Sequence, residues 1–185
     1  MIIGLTGRMG SGKGEIVRIL EVLNFSHITL SSMIREEAKK RGVSDERESL
    51  MEVGNSMRST FGAGVLALKS LEKIMVSDTE NWVIDGIRNP AEIIELRKGN
   101  NVFIIGVDPD LEIIIERILS RGRSGDAVYR DQIIAKMDRE WGKGEPVDGQ
   151  QVGKCMEMVD KTICNNGTLE DLKEKFMTYY EEIRN

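Results

Sequence analysis

The chain has 185 residues, 40% hydrophobic and 31% charged, with a formal net charge of -5 at pH 7. That length fits one domain with its own core, and no apolar run approaches the ~20 residues of a membrane-spanning helix. The acidic balance argues against a nucleic-acid polymer or a membrane as partner, while a local cluster of arginines can still hold a small anion.

Residues 1–6 are a short apolar run closed by Gly7, the pattern of a buried strand. After the glycine-rich stretch GRMGSGKG, Ile16, Ile19, Leu20 and Leu23 recur at helical spacing. Residues 26–30 predict a second strand, followed by a charged helix over 32–41 that Gly42 closes, and by helices over 47–57 and 65–75. The next strand is 82–85 within NWVIDGIRNP, then a helix over 91–98 and a buried strand over 102–107. In DPDLEIIIERIL, Asp108 is expected to cap a helix whose first position is Pro109, with Leu111, Ile114, Ile115, Ile118 and Leu119 on its apolar face. A loop with glycine and arginine over 122–126 leads to a helix over 131–141, and 161–165 is a last short strand. Thr168 and Asp171 form a capping box for a final helix that groups Leu169, Leu172, Phe176 and Ile183. Strands alternating with helices imply a parallel sheet covered on both faces, with ligands bound at its carboxyl edge. Cys155 and Cys164 make neither a disulfide framework nor a zinc site, and both are expected to be buried and inert. With no secretory n-region at the N-terminus, the chain is expected to be cytoplasmic.

The chemistry concentrates in GRMGSGKG, residues 7–14. Gly7, Gly10, Ser11, Gly12, Lys13 and Gly14 lie between a strand and a helix, where backbone N–H groups can turn inward onto phosphate oxygens and the helix adds its positive end. Lys13 supplies a mobile positive charge for the terminal phosphates. The usual hydroxyl after the lysine, which helps hold Mg2+, is replaced by Gly14. Water, Asp85 or the helix-start acid Glu15 is left to compensate, and Asp85 is the stronger candidate because it ends an apolar strand.

GRMGSGK, LSSMIR, WVIDGIRNP, IERILSRGR and DKTICNNGTLEDL occur in the order seen in P-loop nucleotide kinases. The chain resembles the adenylate kinase and dephospho-CoA kinase group over nearly its whole length, and most of all the small archaeal adenylate kinase-related proteins. The resemblance implies a three-layer α/β P-loop NTPase fold with a five-stranded parallel sheet and a small lid. It implies a single domain over 1–185, an acceptor-binding helical region at about 31–75 and a lid at about 117–145. ATP is the implied phosphoryl donor, with Mg2+ held through water by Asp85. Ser31 or Ser32 would contact the acceptor, while Arg35 and Arg88 would meet its phosphate; Arg58, in GNSMRSTFGAG, is a further candidate acceptor contact. Arg117, Arg121 and Arg123 would close over the transferred group from the lid, so that Lys13, Arg88, Arg117 and Arg121 carry catalysis. Asn165 and Gly167 would touch the donor base.

Those roles agree with what phosphoryl transfer needs, which is alignment and neutralisation of oxygen charge. Arginine presents a fixed planar fork to phosphate, and Arg117 and Arg121 share one helix face at i,i+4. An alcohol acceptor asks for a base near its hydroxyl, whereas a phosphate acceptor asks for arginines. The acidic pair that dephospho-CoA kinases carry after their second strand reads LSS here. A nucleoside or deoxynucleoside monophosphate is therefore the expected acceptor. A dephospho-CoA kinase-like enzyme, a nucleotide-binding regulatory module without turnover, and an acceptor-free NTPase are the alternatives. The sequence fixes neither the acceptor, nor ATP over GTP, nor the oligomeric state.

Overall fold

The computed structural model describes residues 1–122 and 129–184, and among these the side chains of all but Arg47 and Glu48. The described residues form a five-stranded sheet of β1 (Ile2–Thr6), β2 (Ser26–Thr29), β3 (Trp82–Ile87), β4 (Val102–Val107) and β5 (Lys161–Ile163), in the order β2-β3-β1-β4-β5. Every pairing in it is parallel. The helices are α1 (Lys13–Val22), α2 (Leu30–Lys40), α3 (Arg47–Phe61), α4 (Val65–Met75), α5 (Pro90–Leu96), α6 (Leu111–Arg121), α7 (Arg130–Trp141), α8 (Val152–Met156) and α9 (Leu169–Arg184).

Alternation along the central strands sends side chains to two cores. Ile3, Leu5, Val83 and Ile105 pack with Ile16 and Leu20 of α1 and with Leu172 and Phe176 of α9. Ile2, Ile84 and Ile104 face the other way, onto Leu30, Met57, Leu66 and Leu96 from α2, α3, α4 and α5. The result is a three-layer α/β architecture, as the alternating pattern of the sequence leads one to expect. A smaller core of Ile114, Ile115, Ile118, Ile133 and Met137 joins α6 to α7 and reaches Met9. Within the range 117–145 where a lid is expected, the described residues hold the end of α6 and α7, while Arg123 and the rest of the expected loop over 122–126 beyond residue 122 lie outside them.

Several boundaries differ from expectation for local reasons. The second strand stops at Thr29 rather than residue 30, because the Thr29 hydroxyl accepts Ser32 N–H at 3.1 Å and starts α2 at Leu30. Asp108 is not the cap of α6. Its N–H still donates to Ile163 O, extending the sheet register, and the N-cap is Asp110. The last strand ends at Ile163, which leaves Asn165 in the following loop. Cys155 is buried, but Cys164 is exposed rather than buried. The short helix α8 carries no period long enough to be read from sequence.

One irregularity falls at the carboxyl edge. Leu5 pairs with Asp85, yet Thr6 pairs with Ile87, so Gly86 is an extra residue on β3. Its φ of 85° suits glycine. Such a bulge turns the strand and re-aims its neighbours. It sits beside the loop that follows β1.

Candidate functional site

The loop over 7–12 wraps the N-terminus of α1, with Gly12 as N-cap at φ 105°. Two glycines in it are required by space as well as by φ. A Cβ on Gly7 would lie 2.3 Å from Val107 O, and one on Gly12 would lie 2.2 Å from Asn165 Nδ2. Lys13 Nζ donates to Gly7 O at 2.7 Å and to Arg8 O at 2.9 Å, so it curls over the loop. Burial lowers the Lys13 pKa, as do Arg88 and Arg121, while Asp85 and Glu140 raise it. A Cβ on Gly14 would meet nothing within 4 Å, so packing does not explain the missing side chain there. Glu15 is held by Arg18 at 2.6 Å, an ion pair within α1.

A cleft of about 810 Å³ opens above this loop. It is lined by Gly10, Ser11, Gly12, Lys13, Gly14 and Glu15, and also by Ser31, Arg58, Asp85, Arg88, Arg117, Arg121 and Asn165. Asp85 Oδ1 is buried without a hydrogen-bond partner. Among the described residues no group of three or more His, Cys, Asp or Glu could hold a metal ion. Magnesium in phosphate sites takes one or two carboxylates and completes its shell with water and phosphate oxygens, so a single orphaned carboxylate at this position fits it. Arg117 donates to Gly167 O at 3.2 Å, and its Nη1 is buried without a partner.

A second cavity of about 450 Å³ adjoins the first. Met9, Ser31, Ile34, Arg58 and Arg88 line both. Arg35 lines only the second, where it donates to Ser31 Oγ at 3.2 Å. Ser32 lines neither, and its hydroxyl donates back to Thr29 O at 2.6 Å, so of the two expected serines only Ser31 faces the cavities. Apolar Leu50 and Met51 face the second cavity together with Asp45, Asn55, Arg139 and Gln150.

The structure gives Asn165 a contact the sequence did not suggest. Its side-chain amide donates to Ser11 O at 2.8 Å, clamping the phosphate loop, and it is 5% exposed. Gly167 lines neither cavity and serves as the acceptor for Arg117. Of the two residues expected at the donor base, Asn165 thus lines the first cavity and Gly167 lines neither.

Sequence reasoning missed the acids that set the arginines. Glu140, at the end of α7, accepts Met9 N–H at 2.8 Å and stands 3.4 Å from Arg88. Next to it, the Arg8 guanidinium lies 3.6 Å from the centre of the Trp141 ring and pairs with Asp108 at 2.8 Å. No local pattern announces Glu140, whose partner is 131 residues away. Glu92 is fully buried, accepts the Arg88 and Asn89 N–H groups, and stands 3.6 Å from Arg58. Its signal was present in the sequence as an Asn-x-x-Glu capping box.

Residues 6–134 match the family described as AAA domain. A UPF0200 protein of Sulfurisphaera tokodaii is 34% identical over 174 residues, covering 94% of this chain and 92% of that protein. A UPF0200 protein of Pyrococcus horikoshii is 32% identical over 180 residues, covering 95% and 93%. Among solved structures, TT1252 from Thermus thermophilus superposes with a TM-score of 0.66 at 18% identity, covering 98% of this chain and 97% of that one. Shikimate kinase from Aquifex aeolicus superposes with a TM-score of 0.56 at 17% identity, with the same coverage. At such identities the likeness is one of fold, and the fold is the three-layer one of P-loop NTPases.

Proposed function

The chain belongs to the AAA-domain family and, with its archaeal relatives, to the UPF0200 proteins, and from that premise we propose that it is an ATP-dependent nucleotide kinase. It moves the γ-phosphate of ATP to a nucleoside or deoxynucleoside monophosphate. The observation that carries this reading is the pair of adjoining cavities. The first holds the phosphate loop and Lys13, the second holds Arg35, and Arg58 and Arg88 line both. A donor tail and an acceptor phosphate would meet at that boundary.

The loop N–H groups and Lys13 bind the β- and γ-phosphates, and Arg117 and Arg121 of α6 neutralise charge on the transferred group. Arg58 and Arg88 orient the acceptor phosphate in line with it. Asp85 would hold Mg2+, which when bound would supply further neutralisation of the donor oxygens. One feature of the second cavity supports a phosphate acceptor over an alcohol such as that of dephospho-CoA. Its buried acid, Glu140, is engaged by Met9 N–H and Arg88, so it is poorly placed to take a hydroxyl proton.

Calorimetry tests the two-site reading. A non-hydrolysable ATP analogue with Mg2+ is titrated first, and each monophosphate is then titrated into the complex. One equivalent of each is expected to bind together. A monophosphate that only competes with the ATP analogue contradicts the proposal, and analogue binding with no monophosphate binding points to a regulatory module.

A further inference from the structure

Arg58 and Glu92 are both buried, at 7% and 0% exposure. Two buried charges are costly to hold apart from water unless each is satisfied, and here neither is fully satisfied. Arg58 Nε has no hydrogen-bond partner, and neither has Glu92 Oε1, although Arg58 Nη2 stands 3.6 Å from that oxygen. The other oxygen, Oε2, accepts Arg88 N–H at 2.8 Å and Asn89 N–H at 3.1 Å. One carboxylate therefore touches the side chain of the first arginine and the backbone of the second. Arg58 lines the wall shared by the two cavities, and Glu92 is the carboxylate that stands against its guanidinium.

We infer that Glu92 is a positioning residue for the acceptor site, fixing Arg58 through its charge and the Arg88 turn through its backbone contacts. The inference rests on the kinase reading above and deepens it, because it assigns the geometry of the acceptor-phosphate contact to an acid that never meets the ligand. The plainer role of Glu92 is to complete the capping box of α5 with Asn89. The two roles separate by charge. Glu92→Gln keeps a carbonyl oxygen for the two N–H groups and removes the charge that faces Arg58.

The experiment measures acceptor KM, donor KM, kcat and Tm for wild type, Glu92→Gln, Glu92→Asp, Arg58→Met and the Glu92→Gln/Arg58→Met double variant. Acceptor Kd is measured alongside by calorimetry with the monophosphates themselves. Glu92→Gln is expected to raise acceptor KM by about tenfold, with donor KM within about twofold. Glu92→Asp is expected to fall between, and it carries the test alone if Glu92→Gln does not fold. In the Arg58→Met background Glu92→Gln is expected to change acceptor KM little further, because the two residues act as one unit. A lowered Tm with acceptor and donor KM both unchanged overturns the inference, and so does an effect of equal size with and without Arg58. If the wild type binds monophosphates without turnover, the kinase reading fails while the Kd comparison still tests Glu92. If it binds none, both fall.

Discussion

In the proposed reading donor binding depends on Lys13, and the environment of that lysine would give the binding a pH signature. Burial favours its neutral amine, whereas a bound phosphate favours the ammonium. The sign follows from linkage. The protonated form binds the nucleotide, and the pKa is lowered in the free protein, so affinity falls as pH rises through a value below the ordinary lysine range. ATP binding measured by calorimetry across pH is expected to weaken there, with proton uptake, and to stay flat in Lys13→Arg, whose guanidinium remains charged. Removing the charge in Lys13→Ala is expected to cost about 1.5–3 kcal/mol of ATP binding. Gly14 carries a second expectation. Its Cβ direction is open, so Gly14→Thr is expected to fold normally and to lower the Mg2+ concentration that half-saturates binding or turnover. An unchanged Mg2+ requirement would mean that Asp85 and water already complete the metal site. Both residues were visible in GRMGSGKG. The clamp from Asn165 to Ser11 was not, because it joins positions 154 apart that no local spacing relates.

At the scale of elements, the strands were legible because a sheet buried on both faces writes itself as apolar runs. β1 and β4 match their expected bounds to within a residue. Helix starts were less legible because several residues can cap. Asp108, Pro109 and Asp110 all suit the entrance to α6, and the continuing register with β5 decided for Asp110. The relation of α7 to the phosphate loop could not be read at all. Its last turn grips that loop twice, through Glu140 to Met9 N–H and through Trp141 under Arg8. Nucleotide binding at the loop is therefore expected to reach α7. In Trp82→Phe, which leaves Trp141 as the remaining tryptophan, ATP is expected to change the Trp141 emission. Unaltered emission at saturating ATP would show that the loop and α7 move independently.

At the scale of the whole molecule, the sheet order brings the ends of β1, β2 and β3 together, and the helices after β2 close one side of the opening. That arrangement turns residues scattered from Lys13 to Asn165 into one cleft. The arginines were readable as anion-binding candidates, and Arg58, Arg88, Arg117 and Arg121 all line the first cavity. Of the acids beside them, Glu140 was not, because it acts through tertiary contacts, and Glu92 was legible as a helix cap but not as the partner of Arg58. The central claim is transfer between two bound ligands, and the direct test follows the phosphoryl group itself. ATP labelled in its γ-phosphate is incubated with Mg2+, the protein and each ribo- or deoxynucleoside monophosphate, with dephospho-CoA and with no acceptor, using Lys13→Ala as control. The account predicts label in one or a few nucleoside diphosphates and none with Lys13→Ala. Label that appears only in inorganic phosphate whatever the acceptor, or only in the dephospho-CoA product, would contradict it.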